Sequence, residues 1–158
     1  MTLPLVIVPV FNAFEQLEGC LESISRTVPS ATRVCLIDDA STDKRVQPLL
    51  QSWVDAAKPF RQLILHPSNR GFVATANHGM RLAKTDLVLL NSDTVVTPGW
   101  LENLAECLAS DESIATATPW SNNGEIVSMP GFCVANPVPG DPDAIARQIK
   151  SCGRPVYP

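Results

Sequence analysis

Short apolar runs alternate with segments of helical periodicity along most of the chain. The runs lack the alternation of polar and apolar residues that a half-exposed antiparallel strand would show, and each has the length of a strand buried on both faces. They cover residues 3–10, 33–37, 62–65 and 87–90. Strands of this kind are typical of a parallel sheet with helices on both sides, because the helices bury both faces.

Four helical segments follow the four apolar runs. The first begins near Phe14, and Asn12 with Glu15 forms a capping-box pattern at its start. The second contains Pro48, so we expect it to begin only shortly before that residue. The order β-α-β-α-β-α-β-α predicts an α/β fold with a mainly parallel central sheet and right-handed crossovers.

The third helix is expected over about residues 72–83, and the fourth is expected to begin with Thr97 as cap and Pro98 in the first helical position. Residues 114–118 suggest one more strand. The residues after it are rich in Pro, Gly and Asn, which predicts a loop. A short helix is then expected over 143–152, with Ile145 and Ile149 facing inward. We therefore expect an α/β core over residues 1–118 and an irregular loop with a short helix over 119–158.

Composition and charge exclude several classes of partner. The chain has 158 residues, a net charge of -4 and a sequence pI near 5.1, and its basic residues are scattered, which argues against nucleic acid or an anionic membrane surface as a partner. No apolar run approaches the roughly 20 residues of a membrane span, and the amino terminus lacks a basic leader. These features predict a cytoplasmic protein without a transmembrane segment.

The five cysteines have neither the spacing of a zinc site nor the density of a disulfide scaffold, so they are interpreted as reduced core thiols. His66 and His78 have no His or Cys partner at metal-ligand spacing, which favours histidines with satisfied structural roles.

Polar residues follow the first, second and fourth predicted strands. They are Pro9–Asn12, Asp38–Thr42 and Asn91–Asp93. Because parallel strands end at one edge of a sheet, we expect these segments to form one ligand crevice. Three carboxylates with two amides suit a divalent cation and hydroxyl or imide donors.

Each of these residues also has a structural interpretation. Asp38 and Asp39 can form a turn and a helix cap, Asn12 can serve as a cap alone, and Asp93 is a common turn former. Arg70 precedes the third helix, where it can meet an anion together with free backbone N–H groups, or remain a solvated loop residue. No glycine-rich dinucleotide or P-loop pattern follows the first strand.

Four segments resemble, in order, the signature segments of family 2 glycosyltransferases of the GT-A fold. They are "LVIVPVFNAFEQLEGCLESI", "VCLIDDASTD", "NRGFVATANHGM" and "DLVLLNSDTVVTPGWLENL", and they cover roughly the first 110 residues. The resemblance implies a Rossmann-like three-layer sandwich. It also implies inverting transfer of a sugar, of hexosyltransferase type, from a nucleotide-diphosphate sugar to an acceptor hydroxyl, with Mg²⁺ or Mn²⁺ as cofactor.

The resemblance also implies roles for residues of the site. Asp93 resembles the metal ligand of a DXD-like motif, and Asp39 resembles the carboxylate that meets the base, with Asp38 supporting it. A carboxylate accepts the N3–H of uracil or thymine, which cytosine lacks, and this favours a UDP or dTDP donor. The donor-binding residues implied are Pro9, Phe11, Asn12, Asp38, Asp39, Arg70, Gly71, Asn77, Asn91 and Ser92.

The chain departs from the family pattern in two ways. Asn91 replaces the first carboxylate of the metal motif, so we expect weak affinity for the free ion. No segment before Pro158 matches the family's general base, which is therefore expected beyond that residue, so the catalytic residue is unknown and the chain alone is expected to bind nucleotide without transferring sugar. The acceptor class implied is a carbohydrate, a lipid-linked molecule or a protein, and homo-oligomerisation and a location peripheral to the membrane are left open.

Alternatives from other classes make different demands on the sequence. A non-catalytic nucleotide-sugar-binding fragment or assembly module would bind the nucleotide without turnover. A sugar nucleotidyltransferase would need a glycine-rich loop with a basic residue where this chain has Phe11, Asn12 and Ala13. A phosphoacceptor signalling domain would need an aspartate after the third strand, where His66 and Pro67 stand.

Overall fold

The computed structural model describes residues 3–151. Its strands are β1 (Leu5–Val10), β2 (Val34–Asp38), β3 (Arg61–Leu65) and β4 (Leu87–Leu89). Its helices are α1 (Phe14–Thr27), α2 (Val46–Asp55), α3 (Phe72–Leu82), α4 (Trp100–Ser110) and α5 (Pro142–Ser151), with a 3₁₀ turn at Glu125–Val127. The predicted alternation of strands and helices is confirmed.

All four strands are parallel and lie in the order β3-β2-β1-β4. Every residue of β1 and of β2 is buried, as the continuous apolar runs predict. Val8 pairs with Leu36 on one side of β1, and Ile7 pairs with Leu89 on the other. β1 is thus flanked by the two strands whose carboxyl ends carry the other candidate site residues.

The helix starts differ from the sequence-based expectations. The prediction of a capping box at α1 is wrong. Ala13 is the N-cap residue, in a left-handed conformation and without a side-chain cap bond, and Glu15 forms an ion pair with Arg45 at 2.9 Å. α4 begins at Trp100, after a left-handed Gly99, and not at Pro98. Pro48 lies in the first turn of α2, where the missing N–H has no partner to lose.

The chain divides into two compact units, Met1–Val96 and Thr97–Pro158, whereas the sequence predicts a boundary after residue 118. The prediction of a strand over residues 114–118 is wrong. The segment follows a turn closed by the Ile114 N–H on the Asp111 carbonyl, and in the described part of the chain it pairs with no strand that could satisfy its backbone groups. Ile145 and Ile149 are 40% and 42% exposed, so their predicted inward orientation is also wrong.

The thiols follow the prediction only in part. Cys20 and Cys35 are buried, Cys107 is half-buried and Cys133 is exposed, and all four are free. Cys152 lies outside the described residues. Among the residues that the structure describes, no helix is long and apolar enough to cross a membrane.

α3 lies close to the sheet at Gly79. A Cβ atom there would overlap Ile7 Cγ2 and stand 3.1 Å from Ile37 Cδ1, and both isoleucines are fully buried. Since close-packed cores have little room to adjust, the absence of a side chain at this position is what allows the helix to approach β1 and β2.

We predict that Gly79→Ala destabilises the protein by about 1–2 kcal/mol, because overpacking outweighs the gain in helix propensity. Gly19→Ala in α1 is the matched control: its Cβ would meet nothing closer than Val95 Cγ2 at 4.0 Å, so we expect stability to rise by about 0.5–1 kcal/mol. Urea unfolding of the two variants measures both changes, and equal behaviour would contradict the packing argument.

Candidate functional site

The carboxyl ends of β1, β2 and β4 lie at one edge of the sheet, because the three strands are parallel and neighbouring. Two backbone hydrogen bonds extend these pairings beyond the strands, from Asp39 N to the Val10 carbonyl and from Leu90 N to the Ile7 carbonyl. The three polar segments identified in the sequence therefore follow adjacent strands at the same edge, as parallel topology requires.

Asp38 closes the turn after β2. Its side chain is fully buried, Oδ1 accepts the Ser41 N–H at 3.0 Å, and Oδ2 lies 3.4 Å from Gln47 Nε2. The turn-forming interpretation thus describes Asp38, which shapes the loop in which the next carboxylate stands.

Asp39 is 3% exposed and accepts hydrogen bonds from His66 and from the backbone N–H groups of Arg70 and Gly71, and the buried Thr75 hydroxyl also favours its charged form. His66 Nδ1 lies 2.7 Å from Oδ1, the Arg70 N–H is shared between Oδ1 at 3.0 Å and Oδ2 at 3.1 Å, and the Gly71 N–H donates to Oδ2 at 2.8 Å. Burial raises the pKa of Asp39, but these hydrogen bonds outweigh it and hold the pKa below its usual value. The side chain is therefore an ionised acceptor at neutral pH.

A second histidine extends this arrangement. His66 Nε2 lies 2.8 Å from His78 Nδ1, and the two rings are within 11° of parallel. The sequence predicts histidines with satisfied structural roles, but it does not indicate that they bind each other and Asp39. Their positions, one just after β3 and one on α3 beside Gly79, are the signal that could have paired them.

The hydrogen bonds to Asp39 bear on the two interpretations of Arg70. Binding of an anion required free backbone N–H groups before α3, but those of Arg70 and Gly71 both donate to the Asp39 carboxylate. The Arg70 side chain is exposed, and Asn77 is half-buried on α3 next to His78.

Asn12 connects the end of β1 to the loop before α2. Its side-chain oxygen accepts the N–H groups of Thr42 at 2.8 Å and Asp43 at 3.0 Å, and its own N–H donates to Ser41 Oγ at 2.8 Å. Its backbone is left-handed, with φ 56°. Asn12 therefore caps the loop before α2 and not α1.

The remaining residues at the end of β1 differ in exposure. Pro9 is buried within the strand, whereas the Phe11 side chain is 47% exposed. Phe11 is thus the apolar surface that this strand presents at the carboxyl edge.

Two α1 side chains that the sequence analysis missed hold the segment after β4. Cys20 Sγ lies 3.7 Å from the Asn91 carbonyl oxygen, and Ser23 Oγ accepts the Val96 N–H at 3.1 Å while donating to the Cys20 carbonyl at 2.8 Å. Burial raises the pKa of Cys20 to about 12, so its thiol stays a neutral donor. The role of Ser23 could not be predicted from the sequence, because a buried polar residue interrupts the apolar stripe of a helix without indicating its hydrogen-bond partner.

Asn91, Ser92 and Asp93 form a turn closed by the Thr94 N–H on the Asn91 carbonyl at 3.2 Å. Asn91 and Asp93 are exposed and Ser92 is half-buried. In the described part of the chain, no group of three His, Cys, Asp or Glu side chains could hold a metal ion. The turn thus offers one carboxylate beside one amide.

The chain belongs to glycosyl transferase family 2, whose family model matches residues 5–131. Curated relatives include the glycosyltransferase GlyG of Streptococcus pneumoniae serotype 4, 30% identical over 63% of this chain and 33% of that protein. An uncharacterised glycosyltransferase of Haemophilus influenzae is 30% identical over 73% of this chain and 47% of that protein. The chain thus spans less than half the length of either relative.

Solved structures support the GT-A fold. The mannosyltransferase PcManGT of Pyrobaculum calidifontis, in complex with GDP-Man and Mn²⁺, aligns with a TM-score of 0.62 and 25% identity over 70% of this chain and 33% of that one. Residues 1–349 of TarS from S. aureus align with a TM-score of 0.60 and 19% identity over 78% of this chain and 40% of that one. The predicted family and fold class are confirmed.

We predict that Asn12→Gly lowers stability by about 1–2 kcal/mol, because it removes the cap on Thr42 and Asp43 while glycine accepts the left-handed backbone without strain. Asn12→Asp keeps the acceptor oxygen and is expected to stay within about 0.5 kcal/mol of the unsubstituted protein. Urea unfolding provides the comparison. If the two variants were equally stable, the side-chain bridge would not be what holds the loop.

Proposed function

We propose that this chain carries the donor-binding site of a glycosyltransferase that transfers a sugar, of hexosyl type, from a UDP- or dTDP-sugar to an acceptor hydroxyl with inversion. The observation that carries the proposal is the ionised, buried Asp39 at the sheet edge where Phe11 and Asp93 also lie. A fixed carboxylate suits a nucleobase imide, and an exposed carboxylate nearby suits a metal on the diphosphate.

The base is held by Phe11, Pro9 and Asp39 in this proposal. The exposed Phe11 ring provides a surface on which a base stacks, and the buried Pro9 keeps the end of β1 rigid. Asp39 accepts the N3–H of uracil or thymine. Asn12 and Asp38 act indirectly, because their side chains already bind the loop between β2 and α2.

The diphosphate and its metal lie at the turn after β4. A single protein carboxylate is too few ligands for a metal site built from protein side chains alone, but it suits an ion whose other ligands are mainly phosphate oxygens. Asp93, with Asn91 and Ser92 beside it, would then complete the coordination of Mg²⁺ or Mn²⁺. When bound, the ion stabilises the negative charge that develops on the leaving diphosphate. Arg70, Gly71 and Asn77 border the sugar-phosphate side of the donor.

The finer assignments stay predictions. They comprise the acceptor class, whether carbohydrate, lipid-linked molecule or protein, and the cytoplasmic, membrane-peripheral location. The general base also stays unassigned, because the chain spans only part of its relatives. In the alternative, a non-catalytic module, the same site would bind the donor without turnover.

Binding of UDP, measured by calorimetry with and without Mn²⁺, tests the metal assignment. We predict that Asp93→Ala abolishes the tightening by Mn²⁺, expected to be about tenfold for one charge-assisted ligand, and leaves metal-free binding unchanged. Asp86→Ala is the matched control, since Asp86 is an exposed aspartate directly before β4, at the opposite edge of the sheet. A full Mn²⁺ effect in the Asp93 variant would remove that residue from the metal site.

The same titrations test base recognition. Asp39→Asn is expected to weaken UDP and dTDP binding about 10- to 100-fold whether or not Mn²⁺ is present, because a charge-assisted hydrogen bond is lost. Circular dichroism confirms that the variant is folded. Unchanged affinity in a folded Asp39→Asn variant would contradict the proposed role.

A further inference from the structure

Segment 91–96 follows β4 and carries Asp93. It lies between two buried residues, Leu90 before it and Val96 at its end, whereas Asp93 itself is exposed. The ladder bond that precedes the segment runs from the Leu90 N–H to the Ile7 carbonyl at 2.9 Å. β4 has three residues, and these pair with β1. The sheet therefore fixes where segment 91–96 begins, but it does not fix how the backbone continues to Asp93.

Helix α1 supplies contacts that the sheet does not. Ser23 Oγ accepts the Val96 N–H at 3.1 Å, and Cys20 Sγ lies 3.7 Å from the Asn91 carbonyl oxygen. Both side chains are buried. One contact is made at the first residue of segment 91–96 and the other at its last residue. Because Asp93 lies between them, the course of the backbone through Asp93 is held from α1 on both sides.

The direction of each hydrogen bond is fixed. The Ser23 hydroxyl donates its single hydrogen to the Cys20 carbonyl at 2.8 Å, so a lone pair faces the Val96 N–H. Burial raises the pKa of Cys20 to about 12, the Thr94 N–H opposes this rise, and the negative charge of Asp93 adds to it. The thiol is therefore a neutral donor that lies close to Asp93 and to the N–H group that closes the turn.

Packing of α1 alone does not require these polar groups. Alanine has a higher helix propensity than serine, and it would leave no buried hydroxyl to satisfy. A buried backbone N–H without a partner is costly, so the Val96 N–H needs an acceptor beyond the end of the sheet ladder. Ser23 provides that acceptor from the interior of a helix. Its contact with Val96 therefore serves segment 91–96 and not α1 itself.

We propose that Ser23 and Cys20 are positioning residues for Asp93, which hold segment 91–96 in the conformation in which the Asp93 carboxylate shares a divalent cation with the phosphates of a nucleoside diphosphate. This inference rests on the proposed function, because it assumes that Asp93 binds the metal. It adds to that function two α1 residues that lie 71 and 73 positions from their partners in the segment. These residues set how strongly the metal tightens nucleotide binding.

The test is the factor by which Mn²⁺ tightens UDP binding, measured by calorimetry on the full chain. Ser23→Ala and Cys20→Ala each remove one hydrogen bond, so segment 91–96 spends part of its time in other conformations and the apparent affinity falls accordingly. We expect the effect of Mn²⁺ to fall from about tenfold to about threefold in each variant, and below about twofold in the double variant. Metal-free UDP binding is expected to stay within about twofold, because the base contacts are unchanged.

Two matched controls remove the same chemical groups away from segment 91–96. Ser25 lies on α1, and its hydroxyl accepts hydrogen bonds from Trp53 Nε1 at 2.8 Å and Arg61 Nη2 at 3.0 Å. Ser25→Ala therefore loosens α1 on the side that faces Trp53. Cys35 is a buried thiol on β2, so Cys35→Ala deletes the same buried atom as Cys20→Ala. Both controls are expected to keep the full Mn²⁺ effect.

Hydrogen exchange of the Thr94 N–H provides a second readout, without metal or nucleotide. This N–H closes the turn on the Asn91 carbonyl at 3.2 Å and is not the group that Ser23 accepts. We expect it to exchange about fivefold faster in Ser23→Ala than in Ser25→Ala, because a hydrogen bond that holds the segment has been lost. Circular dichroism confirms that every variant is folded.

The outcomes separate this inference from the proposed function. If Asp93→Ala abolishes the Mn²⁺ effect while folded Ser23→Ala and Cys20→Ala retain it in full, the inference is overturned and the metal assignment stands. An equal loss in the Ser25→Ala and Cys35→Ala controls also overturns it, because general loosening of the core would then explain the result. Absence of a Mn²⁺ effect in the unsubstituted protein overturns both the inference and the metal assignment.

Discussion

The candidate site depends on the hydrogen bonds that the buried carboxylate of Asp39 accepts. This carboxylate lies at the end of β2, yet two of its donors are backbone N–H groups before α3 and another is His66 after β3. A buried charge is tolerated only when such donors compensate for its lost hydration. Loss of any of these hydrogen bonds would therefore destabilise the folded protein. Asp39 thereby joins the ends of β2, β3 and the start of α3 into one rigid group.

The other loops at the carboxyl edge of the sheet are also held by hydrogen bonds between polar side chains and backbone N–H groups. Asn12 binds backbone N–H groups of the loop before α2, Asp38 binds one within its own turn, and Ser23 binds that of Val96. In each case a polar side chain satisfies backbone groups that the sheet ladder leaves open where the strands end. The loops at this edge of the sheet are therefore held by polar side chains that bind backbone N–H groups.

Much of the fold could be predicted from the sequence, because the apolar runs report burial directly. The parallel direction of the strands followed from the helical crossovers, and the shared edge followed from parallel topology, whereas the order β3-β2-β1-β4 comes from the structure alone. The candidate site segments could be identified for the same reason, since polar residues directly after buried strands are conspicuous.

The failures have a common physical cause. The pairing of Asp39 with His66 spans 27 positions and that of Ser23 with Val96 spans 73, and neither leaves a periodic signal in the sequence. The capping box at Asn12 failed because its side-chain oxygen accepts the N–H groups of Thr42 and Asp43 instead. The prediction of a strand at residues 114–118 failed because a segment with strand propensity forms a strand only where a neighbouring strand is available.

The most direct test of the account is a crystal structure of the chain with bound UDP. The account predicts the uracil at the carboxyl edge of the sheet, with its N3 at about 2.7–3.2 Å from an Asp39 carboxylate oxygen and its ring against Phe11. A uracil bound elsewhere, or held at this edge without contact to Asp39, would contradict it.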